Sequence, residues 1–77
     1  MRPLERAEGA GGSLYTPDQL AERLGVTRAW IYARSREWVS SNGRRGIPTV
    51  KLGRYYRYRP QAIDRWAEQL ENGEVEA

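Results

Sequence analysis

The chain has 77 residues, neither cysteine nor histidine, and a formal net charge of +3. This length predicts one small domain with a thin core, and the missing histidine and cysteine exclude Ser-His-Asp sites, Cys-His sites, thiolate metal sites and disulfides. The charge is segregated, because residues 27–59 sum to +8, residues 1–26 to −1 and residues 60–77 to −4.

Residues 1–12 contain three glycines and scattered charges without an apolar period, which predicts a flexible tail. Residues 13–71 are the predicted domain, and residues 72–77 are a predicted acidic tail. No stretch approaches the roughly 18 apolar residues of a membrane span, and no apolar run follows the first charges as in a signal peptide. We therefore expect a cytoplasmic protein without membrane, cofactor, metal or small-molecule partners.

The first predicted helix has a complete start signal. Thr16 suits the N-cap, Pro17 suits the first helical position, and Gln19 completes a capping box. Gly25 then supplies a left-handed exit from the helix. The stripe expected to be buried consists of Leu20, Ala21 and Leu24.

The second helix follows a three-residue turn and is predicted to begin after Thr27 as its N-cap. Helical spacing turns one set of residues toward the first helix: Ile31, Ser35 and Trp38. The opposite face is then made of Ala29, Ala33 and Arg36, flanked by Arg28 and Tyr32. Two small residues on an outer face let a backbone approach a groove closely, although alanine is also simply a good helix former.

A basic loop over residues 40–46 is expected to be flexible and leads into a predicted hairpin. Gly53-Arg54 fits a two-residue turn with glycine first. Alternation along the strands predicts that the core face carries Val50, Leu52, Tyr56 and Tyr58. The outer face or the tip is then expected to carry Lys51, Arg54, Tyr55 and Arg57.

The third helix is predicted to start at Pro60 and to end at Asn72-Gly73. Its apolar stripe consists of Ile63, Trp66, Ala67 and Leu70. The three tryptophans are expected in the core or in an interface rather than as base-stacking platforms: Trp30, Trp38 and Trp66. The predicted fold is mainly α with a small β-hairpin, a winged helix-turn-helix made of a helix-turn-helix, a two-stranded wing and a C-terminal helix.

Short motifs follow one another in a fixed order over about residues 14–70: Thr16-Pro17-Asp18-Gln19-Leu20-Ala21, Leu24-Gly25-Val26-Thr27-Arg28, Ile31-Tyr32, Ile47-Pro48, Val50-Lys51-Leu52-Gly53-Arg54, Tyr56-Arg57-Tyr58 and Ile63-Asp64-Arg65-Trp66. This series resembles the excisionase-like, MerR-type winged helix-turn-helix domains. The resemblance implies that the second helix enters the major groove and that the hairpin tip reaches the adjacent backbone or minor groove. Two features depart from the family. The linker over residues 40–46 is longer and more basic than in the shortest relatives. Arg34 stands where many relatives carry leucine, which predicts a shifted packing face.

The predicted function is sequence-specific binding of double-stranded DNA as a small, non-enzymatic excisionase, a recombination directionality factor of a phage or mobile element. The candidate DNA-binding residues are Thr27, Arg28, Ala29, Tyr32, Ala33, Arg36, Arg44, Arg45, Lys51, Arg54, Tyr55 and Arg57. Arginines on the second helix suit guanine edges, and wing cations suit phosphates or a narrow minor groove. Arg44 and Arg45 are either nonspecific phosphate contacts or simple loop charges, and Tyr55 either bonds a phosphate or supports the hairpin.

Expected partners beyond DNA are a tyrosine integrase and neighbouring copies of the chain. The long dimerisation helix of the family's larger ligand-sensing members is not expected here. One alternative is a small transcription regulator that uses the same surface. Another is an adaptor in a phage packaging or recombination complex, which would work through the acidic tail and Trp30.

Overall fold

The computed structural model describes residues 13–76, so the predicted tail over residues 1–12 lies outside the described residues. Five elements follow in chain order: α1 (Pro17–Leu24), α2 (Arg28–Ser40), β1 (Val50–Leu52), β2 (Tyr55–Arg57) and α3 (Pro60–Glu71). β1 and β2 form one two-stranded antiparallel sheet. This confirms the predicted fold class. No helix in the described part of the chain has the length and hydropathy needed to cross a bilayer.

The predicted start and end of α1 are both confirmed. The Thr16 hydroxyl accepts a hydrogen bond from the Gln19 amide (3.1 Å), and the Gln19 side-chain oxygen accepts one from the Thr16 amide (3.0 Å). These reciprocal bonds satisfy two amides that a helix N-terminus leaves without partners. Gly25 is the left-handed C-cap, so α1 ends where the chain turns into α2.

α2 turns the predicted face inward. The Thr27 hydroxyl caps the helix by accepting from the Trp30 amide (3.1 Å), and Ile31 and Ser35 are completely buried. Arg34 is half-buried, with its guanidinium 5.6 Å from the centre of the Trp30 ring. The shifted packing face predicted from Arg34 is therefore not formed, because Ile31 and Ser35 remain the buried residues of α2.

The register of the hairpin contradicts the predicted division of its faces. The cross-strand partners are Val50–Arg57, Lys51–Tyr56 and Leu52–Tyr55. Residues directly opposite each other in an antiparallel pair project to the same face. The predicted core positions of Val50 and Leu52 were therefore wrong. Val50 shares the outer face with Arg57, and Leu52, which is 48% exposed, shares it with Tyr55. Lys51 is exposed, as predicted, but it lies on the face of its half-buried partner Tyr56 and not on the face that carries Tyr55.

The predicted turn, which is confirmed, explains that error. Gly53 and Arg54 form a two-residue connection, and Gly53 has a φ of +60°, which suits glycine at the first turn position. Such a turn makes the residues before and after it, Leu52 and Tyr55, direct partners. Even-numbered residues of β1 therefore share a face with odd-numbered residues of β2. An even–odd alternation continued across the turn assigns the residues of β1 to the wrong face.

Tyr58 joins the end of the wing to the rest of the domain. Its backbone exchanges two hydrogen bonds with Tyr15 (2.8 and 3.1 Å), and its completely buried hydroxyl lies 2.7 Å from the Ser35 hydroxyl. Ser35 donates its single proton to the Ile31 carbonyl (2.8 Å), so Tyr58 must donate to Ser35. Burial raises the pKa of Tyr58 above its ordinary value.

The connection from α2 to β1 is a series of hydrogen-bonded turns, although its composition predicted a flexible loop. The Ser41 hydroxyl accepts hydrogen bonds from the amides of Arg44 (3.1 Å) and Arg45 (2.9 Å). Gly46 lies against the backbone of α2, where an added Cβ would sit 2.2 Å from the Arg34 carbonyl oxygen. Only glycine fits this close approach.

α3 covers the core from the remaining side. It begins at Pro60 and is capped at Asn72, as predicted. Trp66 is only 5% exposed, and its indole N–H has no hydrogen-bond partner among residues 13–76. The core that it completes consists of Leu20, Ala21, Ile31, Ile47, Tyr58, Ile63 and Trp66. Val75, beyond the end of α3, also packs against this core.

A polar contact links α1 to α3 outside the core. Arg23 donates hydrogen bonds to the Asp64 carboxylate and to the Tyr15 hydroxyl (2.9 Å). The bond to Asp64 is the main reason that the pKa of Arg23 is raised. Arg23 is therefore occupied within the fold.

Candidate nucleic-acid interface

The outward face of α2 carries the predicted groove residues. Arg28, Ala29, Tyr32 and Arg36 are exposed, and Ala33 is half-buried. Residues four apart on a helix lie one above the other, so Arg28, Tyr32 and Arg36 form one stripe. The stripe therefore has a cation at each end and an aromatic ring at its centre.

The N-terminus of α2 is electropositive. Its first turn contains no acidic residue, and the Thr27 hydroxyl satisfies the Trp30 amide. The remaining amides of the first turn carry the positive end of the helix dipole, which favours a phosphate. Thr27 thus acts first as a cap, and its hydroxyl proton is still available to a phosphate oxygen.

Arg28 is not free at this end of the helix. One of its terminal nitrogens lies 3.0 and 3.3 Å from the two carboxylate oxygens of Asp18 on α1. The Arg28 and Asp18 side chains are 62% and 69% exposed, so the pair is solvated. Exposed pairs contribute about 0–1 kcal/mol, so this one is easily exchanged for another anion.

Tyr32 is the residue at which α2 meets the wing. Its ring centre lies 6.1 Å from that of Tyr56, with the ring planes tilted by 46°. This geometry is within the range of favourable aromatic pairs. Because Lys51 is the cross-strand partner of Tyr56, the contact also puts Lys51 on the face of the wing that is turned toward α2.

At the tip of the wing, two arginines converge on one aromatic ring. The guanidinium carbons of Arg54 and Arg57 lie 5.6 and 5.5 Å from the centre of the Tyr55 ring. Arg57 also donates a hydrogen bond to the Tyr56 carbonyl (2.7 Å), and the Lys51 ammonium donates to the Gly53 carbonyl (2.9 Å). The exposed ring of Tyr55 therefore lies close to both of these cations.

Arg44 and Arg45 line a different feature. They border a groove of about 480 Å³ together with Trp38, Pro48 and Trp66, and the acidic segment Glu74–Glu76 forms another part of its wall. Their side chains are exposed. The two loop arginines are thus brought beside the C-terminal acids.

Among residues 13–76, most of the candidate cations have no acidic partner. Within residues 13–76, the ion pairs are Arg23–Asp64, Arg28–Asp18 and Arg34–Glu37. The candidates without an ion pair in this range are Arg36, Arg44, Arg45, Lys51, Arg54 and Arg57. Their charge is available to an external polyanion.

Sequence reasoning missed three residues of this surface. Val39 is 37% exposed near the end of α2, Leu52 is exposed on the wing, and Asp18 holds Arg28. The two-residue turn was a sufficient signal for Leu52, because it fixes the register. No local pattern pointed to Asp18, whose pairing depends on how α1 crosses α2.

Comparison with known proteins gives one family. A family model described as "Helix-turn-helix domain" matches residues 14–71, which include all five elements. No curated protein and no solved structure matches the chain. The match covers most of the 77 residues. The chain therefore belongs to the helix-turn-helix domain family of DNA-binding proteins.

Proposed function

We propose that this protein recognises a specific duplex with α2 in the major groove and with the wing on the neighbouring backbone or minor groove. The observation that carries the proposal is the contact between Tyr32 and Tyr56. It joins the outward stripe of α2 to the wing, so that one continuous surface can follow a duplex across two grooves. That surface lies within the block of the chain that carries +8.

On α2, Arg28 and Arg36 are the proposed readers of bases. Each has an exposed guanidinium, and arginine bound to the O6 and N7 atoms of guanine is the commonest specific contact in the major groove. The small side chains of Ala29 and Ala33 let the helix backbone approach the base edges. Tyr32 then fills the space between the two arginines and the wing.

On the wing, Lys51, Arg54 and Arg57 are the proposed backbone contacts. Phosphate contacts position a protein on DNA and make its affinity depend on salt, but they do not read the sequence. Arg44 and Arg45 add charge beyond the end of α2, with contacts to phosphates farther along the duplex. The two sets of cations therefore have different expected effects when they are removed.

The biological role that we propose is that of an excisionase, which loads several copies side by side on DNA and helps a tyrosine integrase to assemble. The resemblance of the motif series to excisionase-like domains supports this role. Analytical ultracentrifugation with a DNA that carries several sites tests it, and more than one bound protomer is expected. A single bound protomer on every such DNA would contradict the role and leave simple regulation of transcription.

Selection from random duplexes at about 0.15 M salt, followed by footprinting on the best site, tests the binding mode. Arg28→Ala and Arg36→Ala should each cost roughly 1–3 kcal/mol and relax the sequence preference. Arg54→Ala should weaken binding to all sequences alike and lower the salt slope by about one unit. The control is Arg65→Ala, which removes the same charge from an exposed position on α3. The wing has no part in binding if Arg54→Ala leaves the salt slope at the control value.

A further inference from the structure

Two large apolar side chains stand side by side on the outer face of the wing. Leu52 is 48% exposed and Tyr55 is 54% exposed, and the register makes them direct cross-strand partners on either side of the turn. They are the two most exposed large apolar residues among residues 13–76. Neither side chain is needed to fill the core, so the folded domain alone does not explain this pair.

The tip that carries the pair projects from the domain. Within residues 13–76, no heavy atom beyond the neighbouring residues lies within 4 Å of the position that a Cβ would take at Gly53. The turn at Gly53 therefore does not pack against the helices of residues 13–76. A projecting two-residue turn of this kind can enter a groove that the body of the domain cannot.

The charges around the pair indicate what it fits. Arg54 and Arg57 hold their guanidinium groups near the Tyr55 ring, and neither has an acidic partner in the described part of the chain. An apolar pair bordered by unpaired cations is complementary to a polyanion with an apolar interior. A duplex offers both at its minor groove, because phosphates line the edges of the groove and the apolar faces of stacked base pairs become accessible to a side chain inserted between them.

We propose that Leu52, supported by Tyr55, is a wedge that enters the minor groove and partly unstacks one base step. Apolar side chains inserted in this way kink DNA by roughly 20–90° toward the major groove. Arg54 and Arg57 would then contact phosphates on either side of the inserted pair. The inference rests on the proposed placement of the wing on DNA.

A wedge gives the wing a role in specificity without hydrogen bonds to bases. Pyrimidine–purine steps such as TA and CA/TG unstack easily, whereas A-tracts are stiff. The protein is therefore expected to prefer a flexible step under the wing, next to the bases that α2 reads. Leu52 determines this preference, and the arginines on α2 determine the direct contacts.

The test places 2-aminopurine, a fluorescent adenine analogue that brightens when unstacked, at successive positions of the selected site. Energy transfer between the DNA ends measures bending on the same site. The wild-type protein is expected to raise the fluorescence at one step beneath the wing. Leu52→Ala should at least halve both signals, Leu52→Met should retain them, and Val50→Ala, on the same face but farther from the tip, should leave them unchanged.

The outcomes separate this inference from the proposed function. If the wild-type protein binds no duplex, the proposed function itself fails. The wedge is wrong, and DNA binding stands, if binding depends on Arg28 but the 2-aminopurine fluorescence does not rise at any position. The same conclusion follows if Leu52→Ala raises the fluorescence and bends the DNA as much as the wild-type protein does. If Leu52→Ala only lowers the number of protomers on multi-site DNA, the face is a contact between copies, and the wedge is again wrong.

Discussion

The pair between Asp18 and Arg28 leads to a specific prediction about affinity. In the free protein Arg28 is held by a carboxylate on α1, and it must leave that carboxylate in order to reach a base. Asp18→Asn keeps the size and shape of the side chain but removes the competing charge. This substitution should therefore strengthen binding to DNA.

The expected size of the effect follows from the exposure of the pair. With the two side chains 62% and 69% exposed, their interaction is worth about 0.2–1 kcal/mol. Release of Arg28 should then increase the affinity by roughly 1.4- to 5-fold. Asp18 also lies in the first turn of α1, where its charge favours the helix dipole, so the variant should lose about 0.3–1 kcal/mol of folding stability.

The assay is a titration of the selected duplex at fixed salt, with Glu22→Gln as the matched control. Glu22 is an exposed acid on the same helix, so both variants gain one unit of net charge. Asp18→Asn should increase the affinity more than Glu22→Gln, and its extra gain should disappear in an Arg28→Ala background. Equal gains from the two variants, or a gain that survives without Arg28, would refute the competition.

Three further predictions concern the stability of the fold. Ser35→Ala should lower the free energy of unfolding in urea by about 1–3 kcal/mol, because it leaves the buried Tyr58 hydroxyl without an acceptor. Tyr58→Phe should cost only about 0.5–1.5 kcal/mol, because Ser35 keeps its bond to Ile31, and the reverse order would contradict the assignment of Tyr58 as the donor. Burial raises the pKa of Tyr58 in the folded state, so the contribution of Tyr58 to stability is complete below the ordinary tyrosine pKa of about 10 and falls as the pH rises further. Tyr58→Phe should therefore reduce the loss of stability measured between about pH 8 and 12, and an unchanged pH dependence would contradict this role of Tyr58. Trp66→Ala should lower the stability of the fold by roughly 3–5 kcal/mol. Trp66→Phe should cost much less, because it also removes a buried N–H that has no partner among residues 13–76; equal losses of stability in thermal melting would mean that the indole N–H is satisfied.

The helices were predictable because their signals are local. The capping box at Thr16, the cap at Thr27 and the proline at position 60 each act within one helical turn, and the structure forms all three elements where those signals stand. Helical spacing likewise identified the buried Ile31 and Ser35. Such features need no knowledge of how distant segments pack.

The site was less predictable because its arrangement depends on contacts between elements. The two-residue turn was recognised, but the reversal of faces across it was not, and this hid Leu52. The approach of Asp18 to Arg28 and of Tyr32 to Tyr56 joins residues from different elements, which no single period encodes. The DNA-contacting role of each candidate side chain remains a prediction.

One measurement tests directly whether α2 and the wing share a single DNA-binding surface. The chain contains no cysteine, so one cysteine can be introduced at Ala29 on α2, at Lys51 on the wing, or at Gln61 on α3 as a control, and coupled to an iron chelate that cleaves nearby DNA. On the selected site, the probes at positions 29 and 51 should cleave within about one helical turn, roughly 10 base pairs, of each other. The probe at position 61 should not produce specific cleavage. Specific cleavage from position 61, or cleavage from only one of the other two positions, would contradict a shared surface.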